Sequence, residues 1–111
     1  MTTTAPSAMR QSPWGTIQTV ETIATGIRFV STAGHGGFWL SPERVAQVRP
    51  EWRKYAARWS NGWGDHWYEE DCAAYAVVAT FPDELGVDQQ DAAHATDRIT
   101  YWIEQDEEDQ P

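Results

Sequence analysis

The stretch Ile27-Arg28-Phe29-Val30-Ser31-Thr32-Ala33-Gly34-His35-Gly36-Gly37-Phe38-Trp39-Leu40-Ser41-Pro42-Glu43 decides the fold class, because its punctuation changes from strand to helix within a few residues. Ile27 and Phe29, then Phe38 and Leu40, alternate with their neighbours as on strands with one half-buried face. Thr32–Gly37 between them is rich in glycine and reads as a tight hairpin turn, with its glycines at positive φ. Ser41 then offers a side-chain oxygen at an N-cap, Pro42 a fixed φ for the first helical position, and Glu43 an acid for the first turn. Strands ahead of this point and helices after it make an α+β domain.

Toward the N-terminus, Thr16–Ile23 is β-branched through much of its length and Ala24-Thr25-Gly26 is a turn. The simplest arrangement is an N-terminal three-stranded antiparallel meander packed against three or four helices. Toward the C-terminus, Pro50 divides a short helix over 42–48 from a second one running from Pro50 to about Trp59. Trp52, Tyr55, Ala56 and Trp59 form its apolar stripe at i, i+3, i+4 and i+7. Ser60–Asp65 is a loop by composition. A third helix is expected from about Glu69 to Thr80, with Cys72, Tyr75, Ala76 and Ala79 on its stripe. Asp83–Val87 reads as a turn, and Asp88 caps a final helix through Ile103 whose buried stripe is Ala92, Ala95, Ile99 and Trp102. The domain therefore covers 13–104, between a disordered arm over 1–12 and an acidic tail over 105–111.

A chain of 111 residues fits one domain with a core of its own. Its seven tryptophans compensate for few aliphatics, since each buries a large apolar area. The single cysteine, Cys72, excludes an internal disulfide and fits a reducing compartment. No apolar run approaches the ~20 residues of a membrane span, and the start lacks the apolar region of a signal peptide, so a cytoplasmic protein without membrane contact is expected.

Charge divides the chain. Residues 1–64 carry a net +4 and residues 65–111 a net −13, within a total of −9. Such asymmetry points to a partner. The basic helix over 50–59 either packs on the acidic half or meets a partner. It cannot neutralise that half, so an acidic surface remains and direct nucleic-acid binding is disfavoured. The acids Asp83, Glu84, Asp88 and Asp91, with those of the final helix and the tail, form an acidic face, and helical neighbours at i, i+3 and i+4 sit about 5–6 Å apart. Duplex DNA carries one charge per ~1.7 Å of axis, so one stripe is too sparse to imitate it. Two helices and the tail together give a rough imitation, a DNA mimic suited to the basic surface of a nucleic-acid-binding protein complex.

Other candidates for chemistry are local. His35 in its glycine-rich turn can face a reactive centre, although phosphate-binding loops lead into helices and this one leads into a strand. Cys72 near a helix start is a candidate nucleophile with His35 as its base. Glu69, Glu70 and Asp71 immediately before it disfavour a thiolate, and its helical face makes it a small buried hydrophobe. Those acids also suit a helix N-terminus, and with Asp83, Glu84, Asp88, Asp91, Trp63 and Trp67 they are expected on the partner-binding face. No ligand-pair spacing supports a metal, and no cofactor is implied. Trp63 and Trp67 in the aromatic loop serve either as an interface hot spot or as a small core.

Two stretches together carry a resemblance. His35-Gly36-Gly37-Phe38-x-Leu40-Ser41-x-x-Arg44 and Trp67-Tyr68-Glu69-Glu70-Asp71-Cys72 resemble motifs of an uncharacterised family of proteins found in proteobacteria and on phage and plasmid elements. The likeness spans roughly residues 13–85, and it implies an apolar helix after the acids, as in Ala73–Phe81. It implies no reaction and transfers no catalytic role. The Trp-rich loop and the acidic tail depart from the family pattern. Mobile-element context and acidity jointly imply an inhibitor of host defence, of the anti-CRISPR or antirestriction kind; the alternatives are an enzyme using Cys72 and His35 and a regulatory or self-associating interaction domain.

Overall fold

The computed structural model describes residues 9–108. Its elements run β1 (Gln11–Ser12), β2 (Gly15–Thr16), β3 (Thr19–Ala24), β4 (Ile27–Ser31), β5 (Gly36–Leu40), α1 (Pro42–Val45), α2 (Pro50–Arg58), β6 (Trp67–Glu69), α3 (Ala74–Thr80), α4 (Pro82–Leu85) and α5 (Gln89–Glu108). The class is α+β, with the antiparallel meander β3-β4-β5 as expected and a fourth strand, β6, added to its edge beside β5. Residues 1–8 of the expected arm and 109–111 of the expected tail lie outside the described range. Inside it, Met9 is buried, β1 pairs with β2, and α5 continues through Glu108. The folded unit thus extends past both 13 and 104.

Register explains how the sheet uses its aromatics. Ile27 pairs with Leu40, and Phe38 stands between Phe29 and Tyr68. These residues lie on the face that meets Val45, Val48, Trp52, Tyr55, Ala56, Val77, Phe81 and Ile99 from the helices, which is the main core. The opposite face carries Val20, Val30, Trp39 and Trp67, and it is covered by Met9, Trp14 and Ile17. The N-terminal hairpin is therefore a lid on the second face. Ser12 holds its turn, donating to the Gly15 carbonyl at 2.9 Å and accepting from the Trp14 amide at 3.1 Å.

Gly37 is where this packing is tightest. A Cβ there would stand 2.5 Å from a Trp14 ring carbon and 2.5 Å from the Tyr68 carbonyl oxygen. Its φ is not positive, and neither are those of Gly34 and Gly36, contrary to the expectation for this turn. The glycine is needed for close approach of β6 and Trp14, and the turn itself is closed by Thr32. The Thr32 amide and hydroxyl both donate to the His35 carbonyl, at 2.8 and 2.9 Å.

The helices follow the sequence with corrections at their ends. Ser41 caps α1 by accepting from the Arg44 amide at 3.3 Å, but α1 stops at Val45 and turns carry the chain to Arg49. In α2, Trp52, Tyr55 and Ala56 are buried, while Trp59 is the C-cap and stands 53% exposed, off the expected stripe. The expected third helix begins later, because Trp67–Glu69 pairs with Gly37–Trp39 as a strand. The Glu69 carboxylate accepts from the amides of Asp71, Cys72 and Ala73 at 2.8, 2.5 and 3.0 Å, closing the turn that leads into α3. The expected turn over 83–87 contains α4, which ends at Gly86 in the left-handed conformation. Asp88 caps α5 as expected, accepting from the Asp91 amide at 2.8 Å.

Candidate functional site

A cleft of about 490 Å³ opens where the N-terminal hairpin, the β4–β5 turn, the C-terminal end of α2, the turn before α3 and the last turns of α5 converge. Trp14, His35, Tyr55 and Trp59 come from the first three of these. Glu69, Asp71 and Cys72 come from β6 and the turn after it, and Trp102, Gln105 and Asp106 come from α5. Its size and largely aromatic walls are those of a ligand site. Trp14, Tyr55, Trp102 and Asp106 carry no local sequence signal for this role. Their convergence is a consequence of tertiary packing.

The cleft brings Cys72 and His35 into one lining. Among the described residues no hydrogen bond joins them. Burial pushes the Cys72 thiol up from its ordinary value, and the charge of Glu69 pushes it further. The neighbouring Tyr55 hydroxyl offsets part of the shift. Tyr55 is itself raised, first by burial and then by the neighbouring Cys72. This environment keeps the thiol protonated, the opposite of what activates a cysteine nucleophile. Among the described residues no group of three His, Cys, Asp or Glu side chains is arranged to hold a metal ion.

The acids divide into those engaged by the fold and those left on the surface. Arg44 pairs with Glu84 at 2.6 Å and Arg58 with Asp106 at 3.0 Å, and these are the ion pairs among the described residues. Both tie the basic first half to the acidic second half. The basic helix thus packs internally through its Trp52 stripe and contributes one of the two bridges. Several arginines sit on rings as well: Arg28 over Trp39, Arg49 over Trp52 and Arg98 over Trp102. Glu70, Asp71, Asp83, Asp88 and Asp91 are exposed, as are Asp97, Glu104, Glu107 and Glu108 along α5.

Three residues expected on a partner face are engaged in the fold itself. Glu69 closes the turn before α3, Glu84 is bridged to Arg44, and Trp67 is buried with its ring edge-on to Trp14 at 5.7 Å. Trp63 is 45% exposed and meets Trp67 at 6.0 Å, so the aromatic loop is part core and part surface. His66 stacks on Trp39 and its Nδ1 lies 2.8 Å from the Leu40 carbonyl oxygen. Among the described residues no helix is long and apolar enough to cross a membrane. No curated protein and no solved structure matches the chain. Across residues 7–108 it matches the family described as a domain of unknown function (DUF7007), and it belongs to that family.

Proposed function

We propose that this domain is a small acidic protein-binding inhibitor that docks electrostatically on the basic surface of a nucleic-acid-handling complex. The observation that carries the reading is the charge left over after folding. Among the described residues two ion pairs form, while Asp83, Asp88, Asp91, Asp97, Glu104, Glu107 and Glu108 stay exposed on α4, α5 and the segment between them. Such a surface repels phosphate and steers toward a basic groove. The resemblance to proteins of phage and plasmid elements directs the choice of target to host defence, CRISPR or restriction complexes of the bacterial cytoplasm.

The test is a tagged pull-down from host lysate with nuclease treatment, at low and high salt. One complex retained after nuclease and lost at high salt is expected, since screening shortens from ~10 Å at 0.1 M to ~3 Å at 1 M. Asp88→Asn with Asp91→Asn should weaken capture, and asparagine preserves the α5 cap. Capture indifferent to both salt and these substitutions would sink the electrostatic reading.

A second reading, an enzyme with Cys72 as nucleophile and His35 as base, is favoured by their shared cleft. The raised thiol pKa weighs against it. Cys72→Ala with an intact fold and undiminished biological activity removes it.

A further inference from the structure

The cleft combines indole and phenol walls with three carboxylates, Glu69, Asp71 and Asp106, and among the described residues no lysine or arginine lines it. Glu69 is held by backbone amides and Asp106 by Arg58. Asp71 is exposed and belongs to neither ion pair. Aromatic faces attract cations, and guanidinium more than ammonium, because it is planar and weakly hydrated. The fold contains its own instance at the rim. Arg58 lies 5.8 Å over the Trp59 ring while its Nε donates to Asp106 at 3.0 Å. Trp59 nevertheless remains 53% exposed.

We infer that the cleft receives an arginine side chain presented by the protein partner, with the guanidinium against indole and paired to Asp71. The aliphatic stem of the arginine then lies along the Trp14 and Trp102 walls. This rests on the docking reading above and supplies it with a buried anchor, the usual source of affinity in an otherwise polar interface. At about 490 Å³ the cleft has room for the side chain and part of its flanking backbone.

The probe is the capped tripeptide Gly-Arg-Gly, titrated into the full chain, with the tryptophan indole N–H resonances read by NMR. Saturable shifts at Trp14, Trp59 and Trp102, with Trp63 unmoved, are expected. The citrulline analogue, nearly isosteric but uncharged, should bind at least fivefold more weakly, and Asp71→Asn should weaken the arginine peptide by a similar factor. Glu21→Gln, at an exposed acid on β3 outside the cleft, should leave the peptide affinity within twofold. Equal binding of the citrulline peptide, shifts spread over the surface without saturation, or no shifts at all would overturn the assignment. Peptide failure alongside salt-sensitive capture of a partner would sink the arginine anchor alone. Saturable peptide binding by a protein that captures no partner would uphold the cleft's chemistry and sink the docking reading.

Discussion

Gly37 shows how one residue's reason for being what it is can differ from the reason its neighbours suggest. In a run of Gly34-His35-Gly36-Gly37 the local reading is turn conformation, yet Gly37 sits in β5 and its φ is not positive. What excludes a side chain there is Trp14, from a hairpin more than twenty residues upstream, and the Tyr68 carbonyl of the neighbouring strand. The Tyr68 carbonyl and the Glu69 Cα are backbone atoms that cannot swing aside, so an added methyl has nowhere to go. Gly37→Ala should destabilise the domain by about 1–3 kcal/mol or more, the range for overpacking. Urea denaturation checks this, with Gly34→Ala as the control, because a Cβ at Gly34 meets nothing within 4 Å. Equal stability of the two variants would contradict the packing of Trp14 on the sheet.

The segment from β6 into α3 was the least legible element. Trp67-Tyr68-Glu69 follows a glycine-rich loop and is too short to display a period, so its acids read as the first turn of a helix. Pairing with β5 makes it a strand instead, and the alternation sends Tyr68 into the helix-side core and Trp67 to the opposite face. Glu69 then acts from the strand as the cap of the turn that follows. Glu69→Ala should cost about 1–2 kcal/mol, as the loss of a helix cap does. Glu70→Ala, next to it but exposed, should stay within about 0.5 kcal/mol. Thermal melts of the two variants separate the roles that adjacency in the sequence confuses. The helix starts at Ser41 and Asp88 were readable because capping is local: donor and acceptor lie within three residues.

Across the whole molecule the balance of protons gives a further expectation. Cys72, Tyr55 and Tyr68 all hold their protons more tightly in the folded state, each chiefly through burial. Their stabilising contribution is complete below the unfolded values, about 8.5 for cysteine and 10 for tyrosine, and is lost as pH rises through the higher folded ones. Stability should therefore fall above about pH 8.5, by up to ~1.4 kcal/mol per pH unit for each such group. In Cys72→Ala the fall should begin only near pH 10. Denaturation midpoints between pH 7 and 11 test this, and a flat profile would show that these side chains are more hydrated than their burial implies.

Composition, helix starts and strand alternation were sufficient to determine the α+β class, the order of most elements and a surface that must remain acidic. Each of these depends on residues within a few positions of one another or on a simple sum of charges. The tertiary structure alone decided the rest: the fourth strand, the hairpin lid over the second face of the sheet, the two bridges joining the basic and acidic halves, and the cleft. Trp14 and Trp102 stand far apart in the chain and share a wall only because β6 and α5 are packed where they are. A contact between distant segments is set by the shape of the whole core, and no local pattern in the chain encodes it.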